Sequence, residues 1–446
     1  MRHTKSAVFL ILAFGQGTFT SGCSDDSGAT YPSGSGGAGS GGHAGATTSG
    51  AGGGGAGTGG AGTGGGGAGG TLDGGAYRPS LLIDLGDACN TPDGMRKDPK
   101  STDIILSCPN FFGKTGDAGM FSAPPALMKI TADNKLEPYF SDLPVPPNAP
   151  GRAGPMGIDF GPDGNLYVCD HQYRYDTNYK SRVLRVNVDA MGKPTSADVV
   201  VDGIRLSNGL MWNKDYLYVT DTWAFDDPPA GGKSAIYRFS RTELAAANTN
   251  NPIHIQKPTS GAADGGAEGG ATDAAPSDGG TVDPHMFAQL STVAGRGVNL
   301  AGADGITFDD QGNLYTGNFG DGIITKITFD AQGNKASQSI FVQDASLTCA
   351  DGIFFDVTSK NIYAADSQRN AIKVISPAGA VTTLWENADT TGEAGLLDQP
   401  AEPTIRGNDL IIANFDAGFS AMQIMDNNAK NTAPDAPHTI SVIKLR

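Results

Sequence analysis

Residues 302–322 read GADGITFDDQGNLYTGNFGDG. Two short apolar runs, ITF and LYT, flank a turn-forming DDQGN, which is the pattern of a β-hairpin. Asp304 precedes the first run, and the polar NFGD follows the second. The same text recurs along the chain as PDGMRKDPKSTDIILSC from Pro92, PMGIDFGPDGNLYVCD from Pro155 and SNGLMWNKDYLYVTD from Ser207. It returns as ADGIFFDVTSKNIYAAD from Ala350 and AEPTIRGNDLIIANFD from Ala401. Aligned on the residue before the glycine, with Pro403 standing in the glycine's place in the last copy, the key positions are Asp93, Met156, Asn208, Asp304, Asp351 and Glu402. Their intervals are 63, 52, 96, 47 and 51 residues. The long interval contains a Gly/Ala/Asp-rich insert at about 258–280, without which the period is again about fifty residues.

Each copy is followed by two further alternating, β-branched runs, such as RVLRVNV then ADVVVDG, or AIKVIS then VTTLWE. Four antiparallel strands repeating about every fifty residues specify a β-propeller. The expected fold is all-β, with six four-stranded blades. The sixth repeat ends one strand short, and SLLIDL at Ser80–Leu85 precedes the first repeat with no hairpin partner of its own. The expectation is that this N-terminal strand closes the last blade and covers its open edge.

Outside the repeats the sequence is of another kind. Arg2 and Lys5 precede a short apolar stretch, Ala7–Phe14, and TSGC ends at Cys23. This pattern reads as an export signal over 1–23 whose end resembles a bacterial lipobox, with Cys23 as the lipidated residue. Residues 24–77 are almost all Gly, Ala, Ser and Thr, without the apolar area to offset ordering entropy, and are expected to form a flexible tether. The folded domain is expected over 78–446. The localisation expected from this leader is an exported lipoprotein of the outer membrane, periplasmic or at the cell surface, with membrane contact only through Cys23. The net charge of −16 argues against nucleic-acid binding, which needs a basic face. Cys89, Cys108, Cys169 and Cys349 allow three disulfide pairings, among which spacing does not choose.

In a propeller the first strand of each blade lines the central channel, so the six key positions form a ring at its mouth. Five of them offer oxygen: Asp93, Asn208, Asp304, Asp351 and Glu402. An oxygen-only donor set suits a hard divalent cation, Ca²⁺ above all. A second set of polar residues ends the second strands, from Asn110 through Asp170, Asp221, Asn318, Asp321 and Asp366 to Asn414 and Asp416, and is expected on the same face. Of six histidines, His171 alone falls at this face.

SNGLMW and ADGITFDDQGNLY resemble the calcium-dependent six-bladed propellers that include senescence marker protein 30, gluconolactonases, squid-type phosphotriesterase and paraoxonases. The resemblance implies Asn208 and Asp304 as calcium ligands, with Asp93 in the place of the family's first-blade carboxylate. Met156 departs from the Asn or His found there in relatives. The expected metal set is Asp93, Asn208, Asp304 and Glu402, and the expected catalytic set is Asp304, Asp351 and His171. The activity implied is hydrolysis of a lactone or related ester by a monomer acting on a small molecule. Two other readings stand beside it. The Gly-Asn-Leu-Tyr segments also resemble NHL repeats, which implies a non-enzymatic binding propeller with structural calcium. A quinone-dependent sugar dehydrogenase would want basic residues around a planar cofactor, and this ring is acidic.

Overall fold

The computed structural model describes residues 77–111, 123–147, 150–225, 233–258, 282–293, 301–417, 430, 434 and 436–445. All belong to one unit, Gly66–Arg446. The leader, Cys23, the tether up to residue 76 and residues 259–280 of the insert lie outside the described residues.

After β1 (Ser80–Asp84), blade 1 comprises β2 (Met95–Lys97), β3 (Ile104–Cys108), β4 (Ala126–Ile130) and β5 (Leu136–Phe140). Blade 2 comprises β6 (Pro155–Phe160), β7 (Leu166–Asp170), β8 (Ser181–Val188) and β9 (Pro194–Ile204). Blade 3 has β10 (Ser207–Asn213), β11 (Tyr216–Asp221), β12 (Lys233–Ser240) and β14 (Met286–Ser291). Blade 4 runs through β15 (Ala303–Phe308), β16 (Leu314–Asn318), β17 (Ile324–Phe329) and β18 (Lys335–Val342). Blade 5 runs through β19 (Ala350–Phe355), β20 (Ile362–Asp366), β21 (Ala371–Ile375) and β22 (Val381–Glu386). Blade 6 joins β23 (Pro400–Arg406), β24 (Asp409–Asn414) and β25 (Thr439–Lys444) to β1. The six-bladed propeller and its closure by the N-terminal strand are both present, with β1 antiparallel to β25 from Ser80↔Val442 to Asp84↔Thr439.

One elaboration has no counterpart in the repeat. Between β12 and β14 the chain forms the short helix α1 (Arg241–Ala246), capped reciprocally by Ser240 and Glu243. It then adds β13 (Ile253–His254) parallel to β9, so the flank of the insert crosses onto blade 2 as a fifth strand.

The core lies between blades. Ile105 and Leu127 of blade 1 pack on Ile158, Val168 and Leu184 of blade 2. Tyr218 and Ile236 of blade 3 meet Ile306, Phe308 and Leu314 of blade 4. Central strands are therefore buried on both faces, as in β3, β7, β16 and β20, whereas the outer β18 is exposed over most of its length.

Two devices fix how the inner strands meet. A Cβ on Gly209 would lie 2.3 Å from Asp304 O, and one on Gly305 would lie 2.3 Å from Asp351 O. Gly94, Gly157 and Gly352 stand in the same relation to Met156, Asn208 and Ala401. No larger residue fits where each inner strand touches the next blade's backbone.

The second device answers for the polar ends of the second strands. Asp170 accepts from Gly154 N at 2.7 Å, Asp221 from Leu206 N at 2.9 Å, and Asp366 from Thr348 N at 3.1 Å. Asn414 accepts from Asp398 N at 3.2 Å and Asn110 from Asn90 N at 2.9 Å. In blade 4 the role passes to Asp321, which accepts from Val293 N at 2.7 Å. Each of these side chains ties down the segment that leads into its own inner strand. The side chains of this second set are spent on backbone hydrogen bonds and, for Asp170 and Asp416, on Arg182 and His438, rather than presented to a ligand.

Of the three pairings, the structure has Cys89–Cys108, closing 19 residues, with Cys169 and Cys349 free and buried. A loop of this size implies that a Cys89→Ser/Cys108→Ser variant loses about 3 kcal/mol of stability. Chemical denaturation of oxidised wild type against the variant measures this loss.

Candidate functional site

A cavity of about 470 Å³ opens at the channel mouth, and Asp93, Met156, Asn208, Asp304 and Asp351 line it. A second hollow of the same volume, beside Tyr216 and Arg238 on the rim of blade 3, has Glu243 as its only carboxylate. The mouth is therefore the place where chemistry concentrates.

Each ring residue enters at the start of an inner strand. Asp304 follows Ala303, whose N–H donates to Ser234 Oγ at 2.9 Å and whose carbonyl accepts from Thr222 Oγ1 at 2.8 Å. Thr220 Oγ1 donates to the Asp304 carbonyl at 2.8 Å. Blade 3 thus holds the backbone of the blade 4 carboxylate. Asn208 Nδ2 donates to Asp304 Oδ2 at 2.7 Å. Ser367 Oγ donates to Asp351 Oδ2 at 2.8 Å.

Strand register corrects the sixth position. Pro400 pairs with Asn414 and Pro403 with Ile412, as Ser207 pairs with Asp221 and Leu210 with Val219. Ala401 is therefore the counterpart of Asn208, and Glu402 occupies the position that is glycine in the other five blades. Its Oε2 comes to 2.1 Å from where a Cβ on Gly352 would be, so Glu402 fills space that a glycine leaves open. The Arg96 guanidinium, paired with Asp159 at 3.0 Å, draws the Glu402 carboxyl towards its charged form. Glu402 belongs to the channel just beyond the ring and not to the ring itself.

The carboxyls disturb one another. Asp93 is pushed well above the ordinary range by burial and then by Asp351 and Glu402. Asp304 is pushed well up by burial and then by Asp351, Asp93 and Glu402, against the pull of the Asn208 amide. Burial raises Asp351 to about 7, opposed by the Ser367 hydroxyl and the Gly352 N–H. Burial takes Glu402 to about 8, where Arg96 opposes the rise and Asp351 adds to it. Asp351 adds to the rise of the other three, so the group resists carrying several charges at once. Among the described residues no ion pair reaches Asp93, Asp304 or Asp351.

Donor chemistry and charge fit a hard divalent cation: oxygen ligands only, and an excess of buried carboxyl without a basic partner. The side chains are not closed on one point. Among the described residues no group of three or more His, Cys, Asp or Glu is gathered to hold a metal ion.

His171 stands in the cavity wall beside Phe111, ring centroids 5.7 Å apart. Burial and then the Arg174 charge drive its imidazole down to about 3, so it is neutral at any physiological pH. Its Nδ1 has no hydrogen-bond partner among the described residues.

The wall contains a feature that the ring alignment does not contain. Phe111, Phe319 and Phe415 each directly follow a second-strand Asn, and Tyr173 and Trp223 lie three and two residues after the corresponding Asp. The recurring Asn-Phe dipeptide was the signal for the three phenylalanines in the sequence. Together they place an aromatic wall above the acidic floor.

No protein-family model matches the chain, and no curated protein matches it. Solved structures with a similar architecture include a gluconolactonase from Xanthomonas campestris, 12% identical, covering 83% of this chain and 90% of that one, TM-score 0.46. A luciferin-regenerating enzyme is 13% identical, covering 83% of this chain and 98% of that one, TM-score 0.48. Regucalcin from Agrobacterium tumefaciens, a calcium-binding protein, is 13% identical, covering 83% and 96%, TM-score 0.44. These are likenesses of fold.

Proposed function

We propose that this chain is an exported, calcium-dependent hydrolase of lactones or related esters, working as a monomer at the channel mouth. The observation that carries the reading is the group of buried carboxyls, Asp93, Asp304 and Asp351, all raised by burial, the first two also by neighbouring carboxylates, and without a basic ion-pair partner among the described residues. Asp93, Asn208 and Asp304 would hold the ion, with Glu402 contributing from the adjoining channel position. When bound, Ca²⁺ supplies positive charge that polarises a carbonyl and offsets a developing oxyanion.

The chain's own residues supply the rest. Asp351, held by Ser367, is oriented at the mouth to take a proton from water. Asp304 is kept in place by the Asn208 amide and the tie from Thr220 to its carbonyl. The proton that Asp351 takes from water passes on to the leaving oxygen, and His171, neutral in the wall, accepts a hydrogen bond from the hydroxyl so formed. The aromatic wall excludes water from the reacting carbonyl. Export rests on the leader, and the Cys89–Cys108 disulfide supports an oxidising compartment. Anchoring through Cys23 is part of the same proposal.

The test is a panel of γ- and δ-lactones and aryl esters assayed with calcium and with chelator. Turnover is expected with calcium only, and Asp304→Asn is expected to lower kcat/KM by about a hundredfold or more. Calcium binding by calorimetry without turnover of any member overturns the hydrolase and leaves a calcium-stabilised binding propeller. Met156, an apolar side chain in the ring, is the feature that favours this second reading.

A further inference from the structure

The cavity walls differ in kind from its floor. Phe111 and Phe415 are buried and packed edge to face, centroids 6.3 Å apart and planes at 69°, so they belong to the core. Tyr173 and Trp223 are different. Both are partly exposed and line the cavity, and their ring planes are parallel to within 2° with centroids 6.4 Å apart. They come from different blades, after β7 and after β11, so their alignment is a property of the assembled mouth.

One buried residue fixes the pair. Arg205 places its guanidinium carbon 5.4 Å from the Tyr173 ring centroid, and its Nη1 donates to the Trp223 carbonyl at 3.4 Å. The same residue's backbone N–H is tied to Asp221 Oδ2 at 3.1 Å. The cation stacked on Tyr173 holds that ring, and its bond to the Trp223 carbonyl steadies the backbone from which the indole projects, without filling the cavity. Side chains fixed in this way lose little entropy on binding.

We propose that Tyr173 and Trp223 form a stacking platform that selects substrates carrying a flat aryl ring fused beside the scissile ester bond. The platform stands on the wall of the cavity whose floor is the carboxyl group. A ligand lying against the two parallel faces has its carbonyl side free to face that floor. A bare lactone ring has no flat π-face to offer. The inference rests on the hydrolase reading for the bond that breaks, and on the aromatic pair alone for the ligand that binds.

Dihydrocoumarin and δ-valerolactone share one lactone ring and differ by the fused aryl group. Wild type is expected to show a KM for dihydrocoumarin about tenfold or more below that for δ-valerolactone. Trp223→Ala and Tyr173→Ala are expected to raise the dihydrocoumarin KM about tenfold more than the δ-valerolactone KM, and Trp223→Phe to restore most of the difference. Binding is read separately in Asp304→Asn, where dihydrocoumarin is expected to quench tryptophan fluorescence and Tyr173→Ala to abolish the quench. Equal KM values, or no quench, overturn the platform while turnover still stands. A platform-dependent quench in a protein that hydrolyses neither lactone overturns the hydrolase reading and leaves the platform. Should Trp223→Ala fail to fold, Trp223→Leu and Tyr173→Leu keep an apolar side chain and remove the π-face, and an unchanged KM ratio in both overturns the inference.

Discussion

Metal-free protein is expected to melt about 8 °C lower at pH 8 than at pH 5, and millimolar calcium to remove most of that difference. The sign follows from the direction of the shifts. Each mouth carboxyl binds its proton more tightly in the folded chain than in the unfolded one. The stability this confers is complete below the ordinary carboxyl range near pH 4. It is lost as pH rises through about 7 for Asp351 and about 8 for Glu402. Asp351 alone, moved from 3.8 to about 7, accounts for on the order of 4 kcal/mol. A cation bound among these groups reverses the preference by favouring their charged forms. Asp221 and Asp366, each raised to about 6 by burial, add a smaller slope of the same sign that calcium does not touch. Scanning calorimetry from pH 5 to 8, with chelator and with calcium, reads the effect directly. Asp351→Asn, which cannot ionise, is expected to flatten much of the profile. A profile already flat without metal would mean that the mouth carries no uncompensated charge.

Gly305→Ala is expected to cost about 3 kcal/mol or more and to abolish calcium binding in whatever fraction remains folded. The added methyl meets backbone on both sides, Asp351 O at 2.3 Å and Ile353 N at 2.7 Å. Neither atom is the free end of a side chain, so relief requires blades 4 and 5 to move apart. Asp304 and Asp351 sit on the two strands that would separate. Gly333→Ala is the control, because it lies in an outer turn with nothing within 4 Å of the added carbon. Its positive φ of 81° implies a cost of only about 1 kcal/mol. Thermal melts and calcium titrations of the two variants check the prediction. Equal melting temperatures would show that the inner strands are not so closely spaced.

The propeller was legible because its signals are local. Alternation, turn residues and a period near fifty residues can all be read without knowing which strand touches which. Ser80–Asp84 was legible as the closing strand because it had no hairpin partner. Glu402 was misplaced for a physical reason. The irregularity between Pro400 and Pro403 recurs in four other inner strands, β6, β10, β15 and β19, and only pairing to Asn414 shows that Ala401 occupies the ring position. A proline in the glycine's apparent place hid a one-residue slip. The polar second-strand ends were legible as a set but not as backbone ties, because their partners lie 15 to 28 residues away in entering segments of no distinctive sequence. The wall pairing of Tyr173 with Trp223 joins two blades and a buried arginine, and no spacing along the chain encodes it.

The seam between β1 and β25 gives the molecule a mechanical weak point with a defined direction. Ser80 and Val442 face each other at the end where both chain termini leave the sheet. A pull on the chain at residue 77 directed away from the C-terminus therefore loads that end of the ladder first. The hydrogen bonds then part in sequence, as in a zipper, rather than resisting together in shear. Force applied through the N-terminus would open blade 6 before it reached the ring of glycines, whereas the same force applied within any other blade would have to break a hairpin.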